Sequence, residues 1–299
     1  MKLDSLNKLD YFTILSKISE EASTELAKIE ISKIRPLKSE TKINKNLNFI
    51  DECTYIIEHY ENFKINNYKS IQELISFAKK GGVLDNKSLL DISSHLALII
   101  SLINYFKELN TETRFPLLNL IIKEFRYNKE LYFLITKTIK DESTIFDNAT
   151  EELFSIRKSL DRKNTDIKNI LNGFFTGNKK DMLQDTIITL RDGRYVIPVK
   201  SENKHNIKGI VHDTSQSGLT VYIEPASVIE INNEIKILED EERREINRIL
   251  NLLTENVVNF SFELINNEKN LIKLDVLFAQ ASFFKNNDCT RPEFSSDNE

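Results

Sequence analysis

Apolar residues recur at intervals of three and four over most of this chain, and at intervals of two over one stretch near residues 186–224. Leu6, Leu9, Phe12, Ile14, Leu15, Ile18, Ala22, Leu26 and Ile29 follow the spacing of an amphipathic helix over residues 3–31, which Pro36 terminates. The same period predicts helices over roughly 43–62, 69–79, 86–109 and 128–139, and Phe115-Pro116 begins another. Gly81-Gly82 interrupts the pattern, and Asp85 is placed to cap the helix that follows. Between Leu96 and Phe106 the pattern is apolar around most of the helix, which suits the centre of a bundle.

From Ser143 to Leu171 the apolar positions thin out to Ile145, Ala149, Leu153, Ile156, Leu160, Ile167 and Ile170, the narrow seam of a helix with one partner. The matching seam follows Pro225, where Val228, Ile231, Ile235, Leu238, Ile246, Ile249, Leu253, Val257, Phe260 and Leu264 continue the period. Read as one helix of about 39 residues, that segment spans roughly 58 Å. The run Glu239–Glu245 carries no apolar residue and is expected to stand in water.

Between the two seams the period changes. Thr186–Leu190 is strand-like, Asp192-Gly193 is a hairpin-turn dipeptide, and Tyr195–Val199 returns as a strand. Pro198 cannot donate to a sheet ladder, which predicts an edge strand or a bulge. Ser201–Lys208 reads as a polar loop. Gly209–His212 and Leu219–Ile223 make a second hairpin around Ser215–Gly218. Five of the seven glycines, Gly173, Gly177, Gly193, Gly209 and Gly218, lie in or just ahead of this module.

With 299 residues, 40% hydrophobic and 29% charged, the chain has the composition of a soluble globular protein with a real core. No apolar run of about 18 residues predicts a membrane span. The N-terminus has no secretory pattern, and Cys53 and Cys289 make no disulfide framework, so a cytoplasmic setting is expected. The net charge of −5 hides an asymmetry. Arg157–Lys208 holds twelve basic and six acidic residues, whereas Glu224–Glu245 holds eight acids against three bases.

Most candidate chemistry fails on inspection. Gly173–Lys180 has neither the spacing nor the preceding strand of a phosphate loop, and no hydroxyl follows its lysines. His212-Asp213 lacks further ligands for a metal. Glu241 and Glu242 are adjacent on a helix and point apart, and Cys53 sits on an apolar face and packs. Catalytic, cofactor-binding and metal-binding residues are therefore not expected in this chain. What remains is a basic set around the turns of the strand-rich module: Arg191, Arg194, Lys200, Lys204, His205 and Lys208. Long cations on loops neutralise phosphates without reading bases, so the set points to a polyanion. The alternative is a helical interaction scaffold whose basic tip docks an acidic protein partner.

Three segments in order, LDYFTILSKISEEASTELAKIEISKIRP, KKGGVLDNKSLLDISSHL and LQDTIITLRDGRYVIPVKSENKHNIKGIVHDTSQSGLTVYIEPASVIEINNEI, resemble the second, Smr-bearing branch of the bacterial MutS family. The most specific parts are DGRYVIPVK, GIVHD, SGLTVYIEP and INNEI, and the likeness runs on through LDVLFAQASFFKNNDCTRPEF, covering essentially the whole chain. It implies a mainly α protein, a helical bundle with long lever helices and a small inserted antiparallel β clamp module. Residues 1–142 would be the helical core, 143–185 the ascending lever, 186–224 the clamp, and 225–299 the descending lever with its return to the core. In full-length members an ATPase domain and an Smr endonuclease domain follow, so ATP and Mg belong there, and this chain has no Walker motif. The family resemblance also implies homodimers formed mainly through the ATPase domains. Its implied partners are branched DNA, in suppression of recombination, and collided ribosomes with their rRNA, in ribosome rescue. No membrane partner is implied. The mismatch-recognition domain of the other branch has no counterpart here.

Overall fold

Cap and turn residues cut the long amphipathic patterns into shorter helices than periodicity predicts. The computed structural model describes residues 3–60, 65 and 68–294. Over residues 3–31 it forms three helices, α1 (Leu3–Lys8), α2 (Tyr11–Glu20) and α3 (Glu25–Ser32). Asp10, at φ 52°, takes the left-handed conformation that Asp tolerates better than most residues. The Thr24 hydroxyl opens α3 by accepting from the Ala27 amide at 3.2 Å.

Next come α4 (Glu40–His59), α5 (Gln72–Lys79) and α6 (Asn86–Glu108). Residues 61 and 62, expected to end the first of these, lie outside the described residues. Asp85 caps α6 as expected, its carboxylate accepting from the Ser88 amide at 2.8 Å. Then follow α7 (Thr111–Arg114), α8 (Pro116–Ile122), with Pro116 in its first turn, and α9 (Lys129–Thr138), capped by Asn128.

The ascending helix α10 (Glu151–Asn172) begins later than Ser143, because the Thr150 hydroxyl accepts from the Leu153 amide and sets its start there. Four strands follow, β1 (Thr189–Arg191), β2 (Arg194–Lys200), β3 (Gly209–Thr214) and β4 (Thr220–Pro225). The chain closes with α11 (Ile229–Asn259) and α12 (Ser261–Asn286). The single 39-residue helix expected after Pro225 is therefore two. At Phe260, φ −102° and ψ 13° leave the helical region and end α11 after 31 residues, roughly 46 Å.

Contacts divide the chain into two units, Met1–Thr144 with Asn251–Glu299, and Ile145–Leu250. In the first, Leu98, Ile99, Leu102 and Phe106 of α6 meet Cys53 and Ile56 of α4, Leu118 and Ile121 of α8, and Leu271 and Leu274 of α12. Burying a residue such as Leu102 or Phe106 contributes about 1.5–3 kcal/mol. Here one sequence expectation needs correction: α6, with 23 residues, is long and apolar enough to cross a membrane. Its apolar face instead packs in this core, and its buried side includes Ser93 and His95.

In the second unit, Ile156, Leu160, Ile167 and Leu171 of α10 pack on Ile197, Val199, Val221 and Ile223 of the sheet and on Ile235 of α11. Ile170 is exposed and Leu171 takes the seam position expected for it. The sheet is antiparallel throughout, in the order β1-β2-β4-β3. Pro198 thus lies on an inner strand rather than an edge. The sheet accommodates it because β1 has ended by that point and Pro198 faces residues 183–184, its carbonyl accepting from the Gln184 amide at 3.0 Å.

Candidate nucleic-acid interface

The structure separates the basic set into two groups. Arg191, Arg194 and Lys200 are held by the module itself. Arg191 donates from Nε to Asp213 Oδ2 at 3.0 Å, and its guanidinium lies 3.9 Å from the centre of the Tyr222 ring. Lys200 Nζ donates to the Asp181 carbonyl at 3.0 Å, pinning the end of β2 to the segment before β1. Arg194 donates from Nη1 to Glu224 at 2.8 Å and from Nη2 to the Asn233 side chain at 2.7 Å.

Lys204, His205 and Lys208 are exposed, and their side chains make no ion pair or hydrogen bond among the described residues. They stand on the loop between β2 and β3, which is fastened at several points. Ile207 is buried against the sheet, the Ser201 amide donates to the Leu219 carbonyl at 3.0 Å, and the Ala226 amide donates to the Lys208 carbonyl at 2.9 Å. The charges of Lys204 and Lys208 remain available to an outside anion, with the His205 ring beside them as a further polar group.

Sequence reasoning missed the centre of the module. Glu224, which in the sequence is one of the eight acids of Glu224–Glu245, is fully buried. Its Oε1 accepts from Arg194 and from Asn232 Nδ2, both at 2.8 Å, and its Oε2 lies 2.6 Å from His212 Nε2. Asn232 also pairs with both backbone groups of Tyr195, accepting from the amide at 3.0 Å and donating to the carbonyl at 3.1 Å. His212 reaches the carboxylate because the β3–β4 register shifts between Val211 and Asp213. One carboxylate therefore ties β2, β3, β4 and α11 together, and Tyr195 OH adds a bond to Asn164 of α10 at 2.9 Å.

The Glu239–Glu245 run also departs from expectation. Glu245 is buried, accepting from the Thr150 hydroxyl and from Arg248, each at 2.7 Å. Those bonds hold its carboxyl below the ordinary glutamate range. Glu242 accepts from Arg157 at 2.7 Å, and Arg157 also pairs with Asp147 and the Ile145 carbonyl. Lacking apolar side chains, the helix pair is held at this level by hydrogen-bonded charges.

The glycine-containing stretch after α10 forms two short turns. Gly173–Phe175 and Gly177–Met182 are short 3-10 turns with no strand before them, and Lys179 lies over the Phe174 ring at 4.5 Å. Among the described residues no group of three His, Cys, Asp or Glu side chains is arranged to hold a metal.

No family model matches the chain. It is similar to curated proteins named endonuclease MutS2. It shares 34% identity over 297 residues with that of Finegoldia magna, covering 99% of this chain and 38% of the relative. With the protein of Caldanaerobacter subterraneus it shares 33% over 296 residues, covering 99% and 37%. With that of Clostridium beijerinckii it shares 34% over 279 residues, covering 93% and 35%. The chain thus spans well under half the length of these relatives.

Proposed function

We propose, on the premise that this chain is a MutS2-related member of the MutS family, that it is a non-catalytic gripping part of a nucleic-acid-acting protein. Its second unit would be a clamp that holds a phosphate backbone, and α10 and α11 the levers that carry the clamp. The carrying observation is the fastened loop that presents Lys204, His205 and Lys208 outward while Arg191, Arg194 and Lys200 are already bonded to Asp213, Glu224 and the Asp181 carbonyl. Backbone contact by a few exposed cations gives affinity that is salt-sensitive and largely independent of sequence.

Branched DNA and the rRNA of a ribosome offer that loop the same chemistry, and both stand as substrates on this reading. On this reading, ATP, Mg and dimerisation would belong to segments outside the matched region, as would the endonuclease activity that the relatives' name states. In cells the protein would be cytoplasmic. The deciding experiment measures binding of the purified chain to branched DNA, linear duplex and ribosomes at two salt concentrations. The expected result is salt-sensitive binding that Lys204→Glu/Lys208→Glu abolishes without loss of fold. Binding that is unchanged in that variant would overturn the clamp reading. Binding to none of the three would favour the scaffold reading, in which the tip docks an acidic protein.

A further inference from the structure

The first unit carries a groove of about 890 Å³ between the outer face of α12, the chain after α3 and the start of α4. Its floor is apolar, formed by Leu37, Leu47, Ile272 and Val276. Its rim is cationic: Arg35 stands at one side, and Lys269 and Lys273 line the other. All three are exposed, and none pairs with an acid among the described residues. Lys273 Nζ lies 5.6 Å from the centre of the Phe49 ring of α4. Glu30, which also lines it, is already paired with Lys33 at 2.6 Å.

We propose that this groove docks an amphipathic α-helix of a protein partner, with Asp or Glu flanking its apolar stripe. Shape and charge both point there. The α12 residues on the groove run from Lys269 to Gln280 at intervals of three and four, a face about 16 Å long, which matches three turns of a helix. Apolar anchors would sit on Ile272 and Val276, and acids on either side would meet Lys269, Lys273 and Arg35. A nucleic-acid backbone would use the cations but would gain nothing from a floor of Leu37, Leu47 and Ile272. The groove lies in a different unit from the phosphate-gripping loop and does not depend on it.

The test uses fluorescence anisotropy with three labelled 14-residue peptides. One is an amphipathic helix of Leu and Glu, the second has Lys in place of every Glu, and the third is a scramble of the first. The acidic helix is expected to bind saturably, and its Lys counterpart and the scramble at least tenfold more weakly. In the charge-reversed Lys269→Glu/Lys273→Glu chain the preference should invert, so the Lys peptide binds better than the acidic one. Such an inversion cannot come from loss of fold. Leu37→Glu, a change at an exposed position, should weaken the acidic helix in an otherwise unaltered chain. Equal binding of the acidic and basic peptides overturns the proposal, as does an unaltered preference in the reversed chain. Displacement of the peptide by a short DNA duplex, lost in the same reversed chain, would also overturn it by assigning the cations to nucleic acid.

Discussion

Arg194 and Glu224 lie thirty residues apart in sequence, yet a 2.8 Å bond joins them, and the carboxylate has no exposure to solvent. Removing one member of such a pair leaves the other buried without compensation. Glu224→Ala should lower the unfolding free energy by about 3–5 kcal/mol. Arg194→Met should lower it by about 1–3 kcal/mol, because His212 and Asn232 still serve the carboxylate. Urea unfolding of both variants and the double variant checks this, and the double loss should be well below the sum of the singles. Strict additivity would mean that the two groups act independently.

The division of the basic set yields a prediction about salt. Each phosphate contact contributes about 0.9 to the slope of log affinity against log salt for duplex DNA. Lys204→Ala/Lys208→Ala should therefore flatten that slope by about two. Arg191→Ala should leave the slope nearly unchanged, since Asp213 already neutralises that guanidinium. A larger loss of slope for Arg191→Ala than for the lysine pair would refute the assignment.

Acid should destabilise the first unit through His95. The ring is buried, neither nitrogen has a hydrogen-bond partner among the described residues, and burial pushes its pKa down to about 4. The unfolded chain takes up a proton below its ordinary value of about 6.5, while the folded chain does so only near 4. Stability from this group is thus complete above 6.5 and is lost as pH falls from 6.5 to 4, by about 3 kcal/mol. Urea midpoints at pH 7.5 and 5 should differ less for His95→Leu than for the parent chain.

Two glycines should differ sharply on replacement by alanine. A Cβ at Gly209 would lie 2.1 Å from the Glu224 carbonyl oxygen, so the β3–β4 pairing must open. At Gly193, φ is +74° and the space is empty, which leaves only the backbone cost of about 1–2 kcal/mol. Thermal denaturation should show the greater loss for Gly209→Ala.

How far the sequence reveals the molecule depends on the range of the interaction concerned. Leu153, Ile156, Leu160 and Ile167 disclose the α10 seam because helix geometry converts their spacing directly into one face. The Asp192-Gly193 turn and the Asp85 cap are equally local and equally legible. Glu224 is not, because its partners come from β2, β3 and α11, and nothing beside it in the chain signals burial. The end of α11 at Phe260 is hidden for another reason. Val257 and Leu264 keep the apolar period across it, so the pattern runs on while the backbone turns aside. The basic set is legible in the sequence by residue type and position. Which of its members were occupied depended on Asp181, Asp213 and Glu224, which only the folded chain brings near.

The loop that bears Lys204, His205 and Lys208 has a consequence for binding entropy. A free eight-residue loop would have to be ordered when it met a ligand, at a cost set against the affinity of its cations. Ile207 packed against the sheet, with backbone bonds at both ends, has already removed that freedom during folding. The loop is a preorganised display, so on the proposed clamp reading a few cations would suffice to hold a backbone that a mobile loop of the same sequence would let go.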